Sequence, residues 1–192
     1  HYDLLTGLPM RALGEQLIAE FMKEHSGCLV FLDMDNLKKI NDIHGHKAGD
    51  RALKNLGNLL SRYTIDGLAC RLGGDEFLLF LPDVTAEYVS DTMTQLFKQF
   101  HAIAQADTEI RYASLSAGLC LCTIGDTFAD CYAKADKALY FVKQNGKNQF
   151  SFYQQINYQA PGSASIARDL RQIADSLRQS GSYAGALDLN YR

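Results

Sequence analysis

Residues 68–82 read LACRLGGDEFLLFLP, two apolar runs separated by a pair of glycines and two adjacent acids. Glycine takes the positive φ of tight turns without steric cost, so the runs are expected to pair as a β-hairpin with Gly73 and Gly74 at its tip. This places an antiparallel pair in the middle of the chain, and every other element must be accommodated around it.

The elements on either side have helical and strand periods in alternation. Apolar positions Leu13, Leu17, Ile18 and Phe21 define a helix over 9–25, with Pro9 in its first turn and Gly27 at its exit. CLVFLDMD, 28–35, is a continuous apolar run ending in acids, as expected of a central strand whose C-terminal end opens on a polar site. A short helical turn and a long helix over 47–63 follow, then the hairpin, then a helix striped by Val89, Met93, Leu96, Phe97, Phe100 and Ile103. IRYASLSAGLCLCTI reads as a strand in which Gly118 marks a bulge or a close approach. Phe128, Cys131, Tyr132, Ala135, Leu139 and Val142 define a further helix, and NQFSFY a last strand. This order predicts an α/β fold with a mixed central β-sheet flanked by helices. The predicted domain spans 1–153. Residues 154–192 are read as a Pro/Gly/Ser linker (QQINYQAPGSAS) and an amphipathic helix on Ile166, Leu170, Ile173 and Leu177, opening a further C-terminal segment.

With 192 residues, 47% hydrophobic and 21% charged, the chain is long enough for one well-filled domain with an appendage. A net charge of -3 provides no broad positive field, so extended DNA or RNA is not an expected partner and a nucleotide must be held by local groups. A sequence-specific RNA binder would also need exposed aromatic and basic strands, which are not seen. The five cysteines lie mostly in apolar runs without Cys-x-x-Cys or zinc-type spacing, and are read as buried free thiols of a reducing, cytoplasmic protein. No apolar run is long enough for a membrane helix, so no direct membrane contact is expected of this stretch. The chain begins HYDLLTGLP without an initiator Met and is expected to be the cytoplasmic part of a larger sensor protein.

Asp33 and Asp35 stand two apart at the end of the first strand, and Asp75 and Glu76 at the hairpin. If strand pairing brings them together, like charges at short range require a cation, and hard oxygen ligands select Mg²⁺ or Mn²⁺. Taken alone, each stretch reads more readily as a solvated strand end or a plain turn, and that reading weakens when the two must share one sheet. The glycines at 73 and 74 carry no Cβ to hold a base or phosphate off the main chain. Lys38, Lys143 and Lys147 are candidates for a triphosphate, against ordinary solvated lysines. Asn41 and Asp50 offer the amide and carboxylate that read a guanine edge, against surface capping.

These residues, in this order, resemble the GGDEF family of diguanylate cyclases. The resemblance runs through DLLTGLP (3–9), LDMDNLKKINDIHGHKAGD (32–50), RLGGDEF (71–77), SLSAG (114–118) and ADKALYFVKQNGKNQF (135–150), and covers about the first 153 residues. It implies a palm-like nucleotide-cyclase fold whose hairpin carries the GGDEF motif. It also implies condensation of two GTP into cyclic di-GMP with release of two pyrophosphates, at a site completed only when two domains face each other as a homodimer. By matching motif, Asp33, the Met34 carbonyl and Asp75 would hold the metal, and Glu76 would assist at the 3′-hydroxyl or support the metal site. Asn41 and Asp50 would read guanine, Gly73 and Gly74 would pass close to the nucleotide, and Lys38, Lys143 and Lys147 would bind phosphates.

Three departures stand out. Met10 replaces a common Asn after LTGLP, Lys147 replaces a common Arg, and Thr64 and Gly67 occupy the positions of an Arg-x-x-Asp product-inhibition motif. A product-feedback site is therefore not expected, and Lys147 grips phosphate as a point charge instead of a two-pronged fork. The alternative to an active cyclase is a catalytically silent GTP-binding or dimerisation module.

Overall fold

The computed structural model describes residues 1–156. All nine residues of strand β1 (Gly27–Asp35) are buried, as its unbroken apolar sequence requires of a strand covered on both faces. In chain order α1 (Arg11–Glu24) precedes it, and α2 (Leu37–His44), α3 (His46–Tyr63), β2 (Leu68–Gly73), β3 (Glu76–Pro82), α4 (Ala86–Ala106), β4 (Ser114–Cys122), α5 (Phe128–Gln144), β5 (Phe150–Phe152) and α6 (Tyr153–Ile156) follow. The five strands form one sheet in the order β2-β3-β1-β4-β5. β1 pairs antiparallel with β3 and β4, whereas β4 and β5 are parallel, so the sheet is mixed.

Alternate residues of β1 supply two cores. Val30, Leu32 and Met34 face α3 and α4 through Leu56, Leu60, Met93 and Phe100, while Leu29 and Phe31 face α1 and α5 through Ile18, Met22, Ala135 and Leu139. Gly118 in β4 marks a close approach. A Cβ there would lie 2.1 Å from the carbonyl oxygen of Ala135 and 2.2 Å from the amide nitrogen of Leu139, so α5 rests directly on the strand.

The elements differ from the sequence reading at their ends. α1 starts at Arg11, because Pro9 forms an isolated bridge with Tyr2 and its carbonyl accepts from Arg71 N–H; Gly27 is the first residue of β1. β4 starts only at Ser114, since residues 107–113 are spent in turns that bring the chain back from α4. The short helical turn after β1 is an eight-residue helix. Gln154, read as linker, packs on β4: its side-chain amide donates to the Leu121 carbonyl at 3.0 Å and accepts from the Leu121 amide at 3.4 Å. The helix expected over 166–177 lies outside the described residues. Among those described, no helix is long and apolar enough to cross a membrane.

Candidate active site

The register of β1 against β3 sets Asp33 opposite Glu76, and the Met34 amide donates to the Asp75 carbonyl at 2.9 Å. The end of the first strand and the tip of the hairpin are thereby one place. Asp33, Met34, Asp75, Lys38, Lys143 and Lys147 all line a single cleft of about 520 Å³, closed on another side by α2. Glu76 does not line it; its carboxylate turns toward Arg11 Nη2 at 3.7 Å.

The hairpin tip is held open by its backbone. Gly73 (φ +142°) and Gly74 (φ +52°) occupy conformations that side chains resist, and nothing lies within 4 Å of where their Cβ atoms would be. Arg71 fixes this turn, donating to the Gly74 carbonyl through Nη2 at 2.7 Å and Nε at 3.2 Å, and through Nη1 to Asp3 at 2.9 Å. Asp3 also accepts from the Thr6 amide and hydroxyl. Burial works to raise the Asp3 pKa, but the hydrogen bonds from Thr6 and Arg71 outweigh it and hold this carboxyl below its ordinary range. The N-terminal loop thus buttresses the glycine turn. Asp3, Thr6 and Arg71 lie in the family-like stretches of the sequence, where only an Asp-x-x-Thr turn pattern marks them for this work.

The two aspartates of β1 have different surroundings. Asp35, 3% exposed, is saturated with donors: Ser114 Oγ at 2.7 Å, Ser116 Oγ at 2.8 Å and the Asn148 amide at 3.3 Å. It ties β1 to β4 and to the loop after α5. Asp33, 5% exposed, has one ionic partner, Lys143 Nζ at 2.8 Å. Its pKa is pushed up to about 6, first by burial and further by the nearby Asp75 charge, with Lys143 opposing. Burial works to lower the Lys143 pKa, but Asp33 more than compensates and raises it. A buried carboxylate beside a second carboxylate, neutralised by one lysine, is a site with a demand for positive charge. The donors Asp33, Asp75 and the Met34 carbonyl are hard oxygens, and this set fits Mg²⁺ or Mn²⁺.

Asn41 in α2 packs against Gly49 of α3, next to the exposed Asp50. Among the described residues Asn41 Oδ1 is buried without a hydrogen-bond partner, a costly condition that a ligand donor would relieve. Lys38 and Lys147 are exposed. Gly146, Lys147 and Asn148 all have positive φ, which turns the chain so that Lys147 faces the cleft while the Asn148 amide reaches Asp35.

The family model described as diguanylate cyclase, GGDEF domain, matches residues 1–149. This chain belongs to the GGDEF family. It is 32% identical over 165 residues to the probable diguanylate cyclase DgcE of Escherichia coli, an alignment covering 80% of this chain and 15% of that protein. It is 30% identical over 156 residues to the cyclic di-GMP phosphodiesterase PdeR of the same organism, covering 79% and 24%. Among solved structures, the GGDEF domain of DgcB from Caulobacter crescentus, in complex with c-di-GMP, superposes with a TM-score of 0.71 at 25% identity, covering 80% of this chain and 95% of that one. The chain spans less than a quarter of the length of the curated relatives named here. The mixed sheet flanked by helices is the palm-like cyclase fold of these GGDEF domains.

Proposed function

We propose that this GGDEF domain is a diguanylate cyclase that condenses two GTP into cyclic di-GMP and two pyrophosphates, each of two facing domains presenting one GTP. The observation that carries this reading is the single cleft containing Asp33, the Met34 carbonyl, Asp75 and Lys143 beside an open glycine turn. A bound Mg²⁺ or Mn²⁺ would supply charge neutralisation of the triphosphate and acidify the 3′-hydroxyl. Asp33, Asp75 and the Met34 carbonyl are its holders. Lys38, Lys143 and Lys147 take phosphate oxygens, with Lys143 moving between Asp33 and the phosphates. Gly73 and Gly74 let the nucleotide lie against the main chain, and Asn41 and Asp50 read the guanine edge, whose N–H groups suit the unpartnered Asn41 Oδ1.

In the reaction each 3′-oxygen bonds to the partner GTP's α-phosphorus in line, the α–β bridging P–O bond breaks, and pyrophosphate leaves. The hydroxyl proton passes to solvent, with Glu76 in a supporting role from its place beside Arg11. Because the two GTP come from two domains, a homodimer is the catalytic unit, and the chemistry rests chiefly on placement and charge. The catalytic domain is assigned to residues 1–153, and relatives several times longer carry such a domain as one part of their chain. No product-feedback site is assigned, since Thr64 and Gly67 stand where its Arg and Asp would be.

The similarity to a protein named as a phosphodiesterase favours one second reading, a silent GTP-binding module that regulates an attached domain. Concentrated protein incubated with GTP and Mg²⁺ or Mn²⁺ is expected to yield cyclic di-GMP, and Asp75→Ala at least about a hundredfold less. GTP bound without product at high protein concentration supports the silent module and removes the cyclase assignment.

A further inference from the structure

A second cluster of chemistry-bearing side chains lies away from the nucleotide cleft. Cys120 and Cys122 project from the same face of β4, and Cys131 comes down on them from the first turns of α5. All three are at most 3% exposed, and their sulfurs lie within 4.8 Å of one another. The sequence reading found no metal-type spacing here, because the convergence comes from strand alternation followed by a loop and a helix, not from a short Cys-x-x-Cys turn.

We infer that Cys120, Cys122 and Cys131 form a binding site for one thiophilic d¹⁰ metal ion, Cu(I) or Zn(II). Three soft donors without a carboxylate or imidazole in the cluster select such an ion over Mg²⁺ or Ca²⁺. Metal–sulfur bonds of about 2.3 Å put bound sulfurs roughly 4 Å apart, a separation compatible with the spacing already present. Gln154 Nε2 points at Cys120 Sγ from 3.9 Å and is itself fixed on the Leu121 backbone, while the charge of Lys134, one turn beyond Cys131, bears on Cys120. Within the cluster the three thiols are split: their mutual hydrogen bonding lowers the Cys120 pKa but raises those of Cys122 and Cys131, so an incoming ion must displace the protons of the latter two. Leu29, Phe31 and Ala135 wall the inner side with apolar surface. Residues 123–125, which follow Cys122, are exposed. Binding replaces thiol protons, which pass to solvent, with metal–sulfur bonds, and no redox step is involved. All three ligands fall within one strand–loop–helix unit, so the ion clamps the start of α5 to the end of β4.

The test is anaerobic titration of the full, reduced chain with Cu(I) and, separately, Zn(II), each against a chromophoric competitor. One ion per chain is expected, with a sulfur-to-metal charge-transfer band for Cu(I). Cys131→Ala is expected to weaken binding by at least about tenfold, and Cys70→Ala, a buried free thiol outside the cluster, to leave it unchanged. Which ion competes better identifies the occupant. Alkylation of the parent in mild denaturant, mapped by mass spectrometry, needs no variant: bound ion is expected to protect Cys120, Cys122 and Cys131 but not Cys28 or Cys70. Failure of both ions to bind, binding equally retained by folded Cys131→Ala, or protection spread evenly over all five cysteines would overturn the assignment.

Discussion

Asp33 and Asp35 have the same chemistry and share a strand, yet their neighbours give them opposite work. Asp35 spends its oxygens on Ser114, Ser116 and Asn148 and is structural. Asp33 is buried with Lys143 as its ionic partner, and its raised pKa of about 6 records a carboxylate whose charge is disfavoured by the fold. The folded state therefore holds the Asp33 proton more tightly than the unfolded state, whose carboxyl titrates near 4. The resulting stabilisation is full below about pH 4 and is lost as pH rises through about 6. In chelator, the unfolding free energy of the parent relative to Asp33→Asn should fall over this window by at most about 3 kcal/mol, the equivalent of about two pKa units. Urea melts of both proteins from pH 4 to pH 8 check this, and parallel profiles would refute the shifted titration. At neutral pH Asp33→Asn should also lose cyclase activity while staying folded, the stability–function conflict expected where a site is built from confined charge.

Two positions outside the cleft lining, Gly118 and Arg71, hold the elements of the site together. α5 carries Lys143, and its seat on β4 depends on the missing side chain at Gly118. Gly118→Ala forces a Cβ into the α5 backbone, so a stability loss of about 1–3 kcal/mol is expected, with a fall in cyclase activity from displacement of Lys143. Thermal melts and turnover on the same preparation test this; an unchanged melt would mean that α5 is not packed so closely. The hairpin depends on Arg71, which joins Gly74 to Asp3. Arg71→Met is expected to cut turnover by about tenfold to a hundredfold, with a smaller effect on the melt, because it frees the turn that the nucleotide lies against. Unaltered turnover would show that the turn keeps its shape without Arg71. The main elements were legible because apolar period is a local property: β1, the hairpin and the stripes of α4 and α5 follow from it directly. The cleft was legible only in part. Asp33 and Asp75 could be named from two acidic stretches, but the retirement of Asp35 to structure, the swing of Glu76 toward Arg11 and the grip of Arg71 on the turn depend on partners distant in sequence. The strand expected from Ile110 starts four residues later, since Ile110–Ala113 continue the apolar alternation in sequence yet are consumed in turns.

At the scale of the whole molecule the cleft is one-sided. The groups proposed for phosphate and cation come from the β1 end, the hairpin tip, α2 and the end of α5. In the proposed reading one such cleft takes the triphosphate of one GTP, with Asn41 and Asp50 outside its lining as the proposed guanine readers. The proposed reaction, joining two GTP, calls for a second copy of the domain facing the first. The rate law follows from that requirement. Specific activity should rise with protein concentration until dimers predominate, then level off. Mixing with the silent Asp75→Ala chain should act through partner choice: in an equal mixture each parent chain finds a parent partner about half the time, so cyclic product per parent chain falls to roughly half, and tenfold excess takes it to roughly a tenth. Turnover measured across such mixtures, at fixed total protein above the dimerisation range, distinguishes this from a self-sufficient monomer. A monomer would give product in proportion to parent chain alone, whatever silent chain is present.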